Sequence, residues 1–438
     1  MEEIKMKDSG IKWIGKIPED WDVKKIKYQY KLQTGFTPDT SITDYYDDEN
    51  GYIWVSIADI GNEKFIYDSK SKISDLYVNE KHPELVKKGS LLYSFKLSVG
   101  KVAFAGRDFY TNEAIASFKN SKNVCLDYLY YASFLIEENA NINIYGAKIL
   151  NQDLINNSIT IVPPLQEQQR IAEFLDKKCA DIDEIISKTE KQIETLEQYK
   201  KSLITETVTK GLNPNVKMKD SGIKWIGQIP EDWNMKRAKY LFKERFGGAW
   251  GEDAKEDEND RICIRIADFD YPRLKVKRNI DFTKRNYDTA TISKVTLKNK
   301  DLLIEKSGGG EKTPVGRVVL YDLNEKALFA NFMDVLRVKD EYSAEYIKYL
   351  FCSMYAMGGT FFYVNQTTGI QNLNLSALLD NEMFPVLPKQ EQQRIAEFLD
   401  KKCADIDEVL NKQKESLETL KKYKQSLIYE YVTGKKRV

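Results

Sequence analysis

The sequence predicts an α+β protein: two globular blocks joined by a long antiparallel two-helix coiled coil, arranged as a pseudo-two-fold internal repeat. Three observations predict it. The nineteen residues QEQQRIAEFLDKKCADIDE run from Gln166 to Glu184 and return unchanged from Gln390 to Glu408. MKDSGIKWIGKIPEDW, residues 6–21, returns as MKDSGIKWIGQIPEDW, residues 218–233, differing only at Lys16 and Gln228. Between these repeats lie two strand-rich blocks with little mutual identity. The chain is one unit written twice: lead-in motif, variable block, long helix. A repeat of this kind governs how the whole fold is read.

Four segments follow in order. Residues 1–162 hold the lead-in motif and the first block. In the motif, Trp13, Ile14, Ile17, Pro18 and Trp21 form a compact apolar knot punctuated by Gly10 and Gly15. The block then shows β-like runs at 52–57, 90–95, 102–105 and 158–162, a helix over 126–138, and a solvated acidic loop, DYYDDE, at 44–49. Residues 163–210 are the first long helix. Pro163-Pro164 stops the last strand, and Glu167 places negative charge in the first helical turn. Ile171, Leu175, Cys179, Ile182, Ile186, Ile193, Leu196 and Leu203 recur at spacings of three and four, the a/d seam of a coiled coil, with Thr189 and the 199–200 region as weak points. Residues 211–387 comprise a short linker, the second lead-in motif with Trp225 and Trp233, and the second block. Its strands are expected at 262–267, 301–305 and 315–321, a helix at 344–352, and a solvated loop at 252–260. Residues 388–438 are the second long helix, with Ile395, Leu399, Cys403, Ile406, Leu410, Leu417, Leu420 and Leu427 on its seam.

The linker predicts the topology. A helix of some 40 residues at about 1.5 Å each is a rod of roughly 60 Å. About seven extended residues, at most about 3.6 Å each, cannot run back along it. The second block is therefore expected at the far end of the first helix, with the second helix returning antiparallel. Parallel pairing between two chains is the rival arrangement, and the short linkage favours the intrachain pair.

Composition excludes more than it assigns. Lys and Arg number 67, as do Asp and Glu, so any nucleic-acid contact must come from local patches. Five cysteines occur without CxxC spacing, which speaks against a disulfide scaffold or zinc knuckle. The start, MEEIKMKDSG, has no apolar segment, and no apolar run approaches membrane-spanning length, so a cytoplasmic protein is expected. The single histidine, His82, leaves no Ser-His-Asp or Cys-His machinery and no His-rich metal site. GGGEKT at 308–313 departs from GxxxxGK[ST], because Glu311 stands where glycine is needed and would repel phosphate. No catalytic residue and no metal ligand is assigned.

WIGKIPEDW and WIGQIPEDW before the blocks, and PPLQEQQRIAEFL and LPKQEQQRIAEFL after them, resemble the specificity (S) subunit of Type I restriction–modification systems. GFTP at 35–38, GYIWVSIADI at 51–60 and TGIQNLNLSALL at 368–379 are also similar to that family, whereas GGAWGED at 247–253 stands where GxTP is expected in the second block. The resemblance covers essentially the whole chain. It implies that each block is a target recognition domain reading one half of an asymmetric bipartite sequence in double-stranded DNA. It implies that the helices set the spacer and hold methyltransferase subunits, expected to number two, with restriction subunits possible. S-adenosylmethionine, ATP and Mg would then belong to those partners and not to this chain, which would be non-catalytic. A coiled-coil scaffold whose blocks bind proteins is the alternative, and an enzyme with an unfamiliar site is a third reading.

Candidate DNA contacts follow from side-chain chemistry, since Arg suits guanine and Asn or Gln suits adenine. In the first block they are Thr37, Lys96, Ser98, Lys101 and Lys148; in the second, Trp250, Lys306, Lys312, Arg317, Gln366 and Gln371. The basic stretch 271–306 suits phosphate neutralisation. The partner or coiled-coil interface is expected at Trp13, Trp21, Ile171, Leu175, Ile182, Ile186, Trp225, Trp233, Ile395, Leu399, Ile406 and Leu410.

Overall fold

In the computed structural model, which describes residues 5–438 apart from 62, 97, 139, 143–145, 147, 311–312 and 368, the repeated stretch forms two long helices, Leu165–Lys210 and Lys389–Val432. Each starts just after a proline, and a buried glutamine folds back to donate to a carbonyl ahead of the helix. Gln168 donates its side-chain amide to the Pro163 carbonyl at 2.8 Å, and Gln392 donates to Leu387 at 2.8 Å. Glycines in the left-handed region follow the helices, Gly211 at φ 77° and Gly434 at φ 70°.

The chain divides into two units, Met1–Lys188 with Leu417–Val438, and Thr189–Ser416. The sequence reading separates the helices from the blocks at 163–210 and 388–438. The structure instead shares each helix between the units, because the apolar helix faces complete the block cores. In the first unit Ile171, Leu175, Cys179, Ile182, Leu427 and Val432 pack with Tyr128, Tyr131 and Ile161. In the second, Ile204, Val208, Ile395, Leu399 and Cys403 pack with Tyr346, Tyr349 and Phe384.

Within each unit the helices run antiparallel. In the first, Phe174 meets Tyr431 with ring centroids 4.5 Å apart, and Asp183 binds Lys424 at 2.6 Å. In the second, Lys200 binds Asp407 at 2.5 Å and Glu197 binds Lys414 at 2.9 Å. Asp183 and Asp407 share one position of the repeat, as do Lys200 and Lys424, so the same ion pair is built twice. Of the expected interface positions, Ile171, Leu175, Ile182, Ile395, Leu399, Ile406 and Leu410 are all buried, and Ile186 is half-buried. Further along the first helix the seam departs from the expected positions. Ile193 is buried at its expected place, but Thr189, Ile204 and Val208 are buried as well, while Leu196 and Leu203 are half-buried. A helix of 3.6 residues per turn drifts away from a strict seven-residue repeat, and the seam moves with it.

Each lead-in motif is a short hairpin, Met6–Asp8 with Lys16–Pro18 and Met218–Asp220 with Gln228–Pro230. Trp21 is fully buried and donates its indole N–H to Glu167 at 3.0 Å. A Cβ on Gly434 would sit 2.3 Å from Pro18 and 3.0 Å from Trp21. Trp233 is buried likewise, and a Cβ on Gly211 would sit 3.2 Å from it. Each of these tryptophans therefore holds the start of one helix against the end of the other. Trp13 departs from the expected knot. It is 43% exposed beside Phe134 and Tyr429, whereas its counterpart Trp225 is half-buried and donates to Glu382 at 3.4 Å. Gly434→Ala is expected to lower the stability of the first unit by about 2 kcal/mol or more, from left-handed strain of roughly 1–2 kcal/mol plus the clash. Gly227→Ala, at φ 68° with nothing within 4 Å of the added Cβ, should pay only the strain. Equal losses for the two variants in urea melts would refute the clash.

The first block is built on a five-stranded sheet in the order Leu32–Thr34, Ile115–Phe118, Leu91–Ser94, Val102–Ala105, Phe65–Ile66. A three-stranded sheet joins Tyr110–Thr111, Tyr52–Val55 and Lys72–Ile73. The second block repeats this plan. Its six-stranded sheet runs Phe242–Gly247, Met333–Val338, Leu302–Glu305, Val318–Leu320, Lys275–Val276, Phe269–Asp270. A four-stranded sheet joins Glu252–Asp253, Lys284–Asn286, Asp260–Ile264 and Ala327–Phe329. The expected helix over 126–138 breaks at Ser133 into Leu126–Ala132 and Phe134–Glu137. The 44–49 segment is not wholly a solvated loop, since Tyr45 is buried in a 3-10 turn against Tyr77. In the 252–260 segment, Asp257 and Asp260 both accept from the Asn286 amide, at 2.7 and 2.8 Å.

Candidate nucleic-acid interface

The principal sheets of the two blocks present matching edges. In the first block this edge gathers the turn after Thr34, Phe95–Lys96 with Ser98–Lys101, and the segment entering Ile115. The register Ser94↔Ile115 and Tyr93↔Val102 brings them together. In the second block it gathers the turn after Gly247, the stretches Lys306–Gly310 and Thr313–Arg317 and the segment entering Met333, by the register Glu305↔Met333 and Gly247↔Asp334.

The turns correspond although their sequences do not. Phe36 N–H donates to the Thr111 carbonyl at 2.9 Å, and Ala249 N–H donates to the Phe329 carbonyl at 2.9 Å. A Cβ on Gly35 would lie 2.0 Å from the Thr111 carbonyl oxygen, and one on Gly248 would lie 2.4 Å from those of Phe329 and Ala330. GAWG at 248–251 therefore occupies the place of GFTP, and exposed Thr37 and Trp250 are counterparts. Trp250 is 41% exposed, with the Arg285 guanidinium 4.7 Å from its ring centroid. Gly248→Ala is expected to displace the Trp250 turn, since the carbonyls it meets belong to rigid backbone. The solvent accessibility of Trp250 to a fluorescence quencher should change, and an unaltered quenching profile would refute the close approach.

The loops correspond as well. Ser94 N–H donates to the Lys101 carbonyl and Glu305 N–H to the Arg317 carbonyl, which makes Lys101 and Arg317 equivalent. Gly100 and Gly316 precede them with φ of 95° and 108°. Lys101 reaches the Ile60 carbonyl at 3.0 Å. Lys96 and Ser98 are exposed, and Lys148 is an exposed partner of Glu137 at 3.3 Å. Arg317 is engaged twice by buried Glu305, at 2.9 and 2.8 Å, and lies 3.6 Å over the Tyr271 ring, whose hydroxyl donates to the same carboxylate. Burial and this carboxylate raise the Tyr271 phenol well above its ordinary value. Lys306 binds Asp334 at 2.7 Å, an acid also held by Arg245 at 3.0 Å. Gln366 is exposed. Gln371, expected at a reading position, is buried and accepts from Val315 N–H at 3.2 Å, because strand alternation turns it inward. Lys312 lies outside the described residues.

Much of the basic stretch 271–306 is paired within the fold: Arg273 with Asp270, Lys275 and Arg278 with Asp322, Arg285 with Asp253, and Lys300 with Glu345. Sequence density alone overstates the positive charge this face presents.

Both blocks seat on the repeated helix motif through the same contacts. Tyr131 donates to Asp176 and Tyr349 to Asp400, each at 2.6 Å; Tyr128 donates to the Val432 carbonyl at 3.1 Å and Tyr346 to that of Val208 at 3.0 Å. The cation on each aspartate comes from a different place. Lys64, beside a strand, binds Asp176 at 2.7 Å, whereas Lys348, fully buried within a helix, binds Asp400 at 2.8 Å. Burial lowers the Lys348 ammonium against the pull of Asp400. Sequence reasoning missed all four tyrosines. The repeat pairs only the helix side of these contacts.

Among the described residues no helix is long and apolar enough to cross a membrane, and no group of three or more His, Cys, Asp or Glu is placed to hold a metal ion. The chain is 26% identical over 430 residues to the type I restriction enzyme MjaVIII specificity subunit of Methanocaldococcus jannaschii, covering 97% of this chain and 94% of that protein. The MjaIX specificity subunit of the same organism is 25% identical over 448 residues, covering 97% and 95%. A chain solved in work on complex assembly and conformational transition of the type I R-M system superposes with a TM-score of 0.67 at 14% identity, over 95% of this chain and 98% of that one. The HsdS subunit from Thermoanaerobacter tengcongensis superposes with a TM-score of 0.51 at 14% identity, over 98% and 99%. The model of the Type I restriction modification DNA specificity domain matches twice, at residues 18–195 and 230–419, once for each block with its helix, and the chain belongs to that family.

Proposed function

We propose that this chain is the non-catalytic address subunit of a Type I restriction–modification complex. Each block reads one half of an asymmetric bipartite DNA sequence, and the helix pair sets the unread spacer and docks methyltransferase subunits, two in number. Those partners bind S-adenosylmethionine and methylate N6 of an adenine flipped out of the duplex, because a stacked base is out of reach. Restriction subunits, where present, add ATP- and Mg-dependent translocation and cleavage. One observation carries the reading: two blocks of unlike sequence present equivalent loop edges on equivalent sheets. Equivalent frames with unlike loops suit two readers with two different targets.

The test is genome-wide mapping of methylated adenine in a host carrying this chain and its methyltransferase partner. One bipartite sequence with dissimilar halves is the expected result. A single continuous motif, or methylation without sequence preference, would overturn the proposal.

A further inference from the structure

The second block carries a flap that protrudes from its loop edge. Strands Ser307–Gly308, Ile370–Leu373 and Val364–Thr367 pair antiparallel in that spatial order. The register places Ser307, Asn372 and Asn365 in one row across the three strands. The alternation of a strand sorts the central strand into two faces. Gln371 and Leu373 are buried against the block, whereas Ile370, at 53% exposure, and Asn372 point outward. Asn365, on the edge strand, is exposed as well. At the root, Leu373 N–H donates to the Lys306 carbonyl at 2.8 Å, and Lys306 N–H donates to that of Phe332 at 2.8 Å. The flap is thereby tied to the same edge as Trp250 and Lys306.

An outward row of amides beside an exposed isoleucine serves no packing purpose within the block. The Ser307 hydroxyl donates to Asn372 Oδ1 at 2.7 Å, which fixes the plane of that amide while leaving the second lone pair of Oδ1 and both Nδ2 hydrogens available. An amide so held is matched to an adenine edge, which offers the N6 donor and the N7 acceptor together in the major groove. That groove, about 12 Å wide, admits a two-stranded ribbon, and the hairpin of Val364–Thr367 with Ile370–Leu373 supplies one, its strands about 4.8 Å apart. Side chains directly opposite on neighbouring strands have Cβ atoms about 4.5–5.5 Å apart. Asn372 and Asn365 are placed in this way and can reach neighbouring base pairs, which rise by about 3.4 Å.

Resting on the reading of this chain as a DNA specificity subunit, we propose that the outward face of the flap enters the major groove of the second half-site. Asn372 and Asn365 are specificity-determining residues that read adenines in two adjacent A·T pairs, and Ile370 lies against a thymine methyl.

The experiment maps methylated sequences made by the full chain with its methyltransferase partner. The wild-type second half-site should contain two adjacent A·T pairs. Asn372→Ala and Asn365→Ala should each relax one of those positions by roughly 10-fold or more, leaving the first half-site unchanged. Asn372→Asp should shift its position towards cytosine, whose N4 amine a carboxylate accepts. Asn365 lies on the exposed edge, so its variant keeps the test open should a change at Asn372 disturb the flap. A bipartite site whose second-half preferences survive both alanine variants overturns the proposal. So does a uniform fall in methylation at every site with no change of sequence, which would mark the flap as a protein-docking element. If the wild-type chain directs no bipartite methylation at all, the underlying reading fails instead, and the variants are not needed to see it.

Discussion

Arg337→Ala is expected to destabilise the second unit by about 3–5 kcal/mol, the usual cost of breaking a buried ion pair from one side. Arg337 is buried in the interior strand Met333–Val338 and binds Asp301 through two parallel hydrogen bonds, both 2.8 Å, with Glu244 as a further partner. Asp301 is itself 1% exposed and would keep the Lys298 backbone N–H at 2.7 Å but lose its guanidinium partner. A domain typically has only about 5–15 kcal/mol in total, so the variant should melt far below the parent. The companion double variant Arg337→Met with Asp301→Leu removes both charges and should recover most of the loss. Circular-dichroism melts decide the matter, and a single variant within about 1 kcal/mol of the parent would refute the burial of the pair.

Replacing residues 22–162 with the corresponding block of another family member is expected to change one half of the recognised sequence completely and leave the other intact. Most of that block's core is internal: the clusters around Leu129, around Phe109 and around Trp54 draw on no residue of the two long helices. The graft must bring counterparts of Tyr128, Tyr131 and Lys64, whose side chains reach Val432 and Asp176. Each mismatched base pair costs about 1–3 kcal/mol, so losing some three specific pairs should abolish methylation at the original site by roughly a thousandfold or more. Sequencing of methylated sites gives the answer, and simultaneous change in both halves would show that the blocks do not read independently.

The helices and their antiparallel pairing were legible in the sequence because periodicity, proline and glycine are local signals. The identity of the repeated nineteen residues also has a local cause: Glu167, Gln168, Ile171, Leu175, Asp176, Cys179 and Asp183 each make a buried or paired contact that the second copy needs again. The reading side was less legible. Arg317 and Lys306 looked free because their carboxylates, Glu305 and Asp334, come from neighbouring strands that only the fold aligns. The equivalence of GFTP and GAWG rests on one shared requirement, a first glycine pressed onto carbonyl oxygens, which no pattern of side chains announces. The flap was hidden for a similar reason. Its strand Ser307–Gly308 is two residues long and pairs with a strand some sixty residues later.

The first unit takes its last pieces, Leu427, Val432 and Gly434, from the far end of the chain. A ribosome adds about 5–20 residues per second, so the roughly 230 residues between Lys188 and Leu417 take some tens of seconds to synthesise. Throughout that interval Trp21 and Tyr128 have only half of their socket. The second unit, contiguous from Thr189 to Ser416, can close while synthesis continues. The half of the protein made first is therefore the half that matures last, and it is the half whose exposed apolar surface a chaperone would meet on the nascent chain.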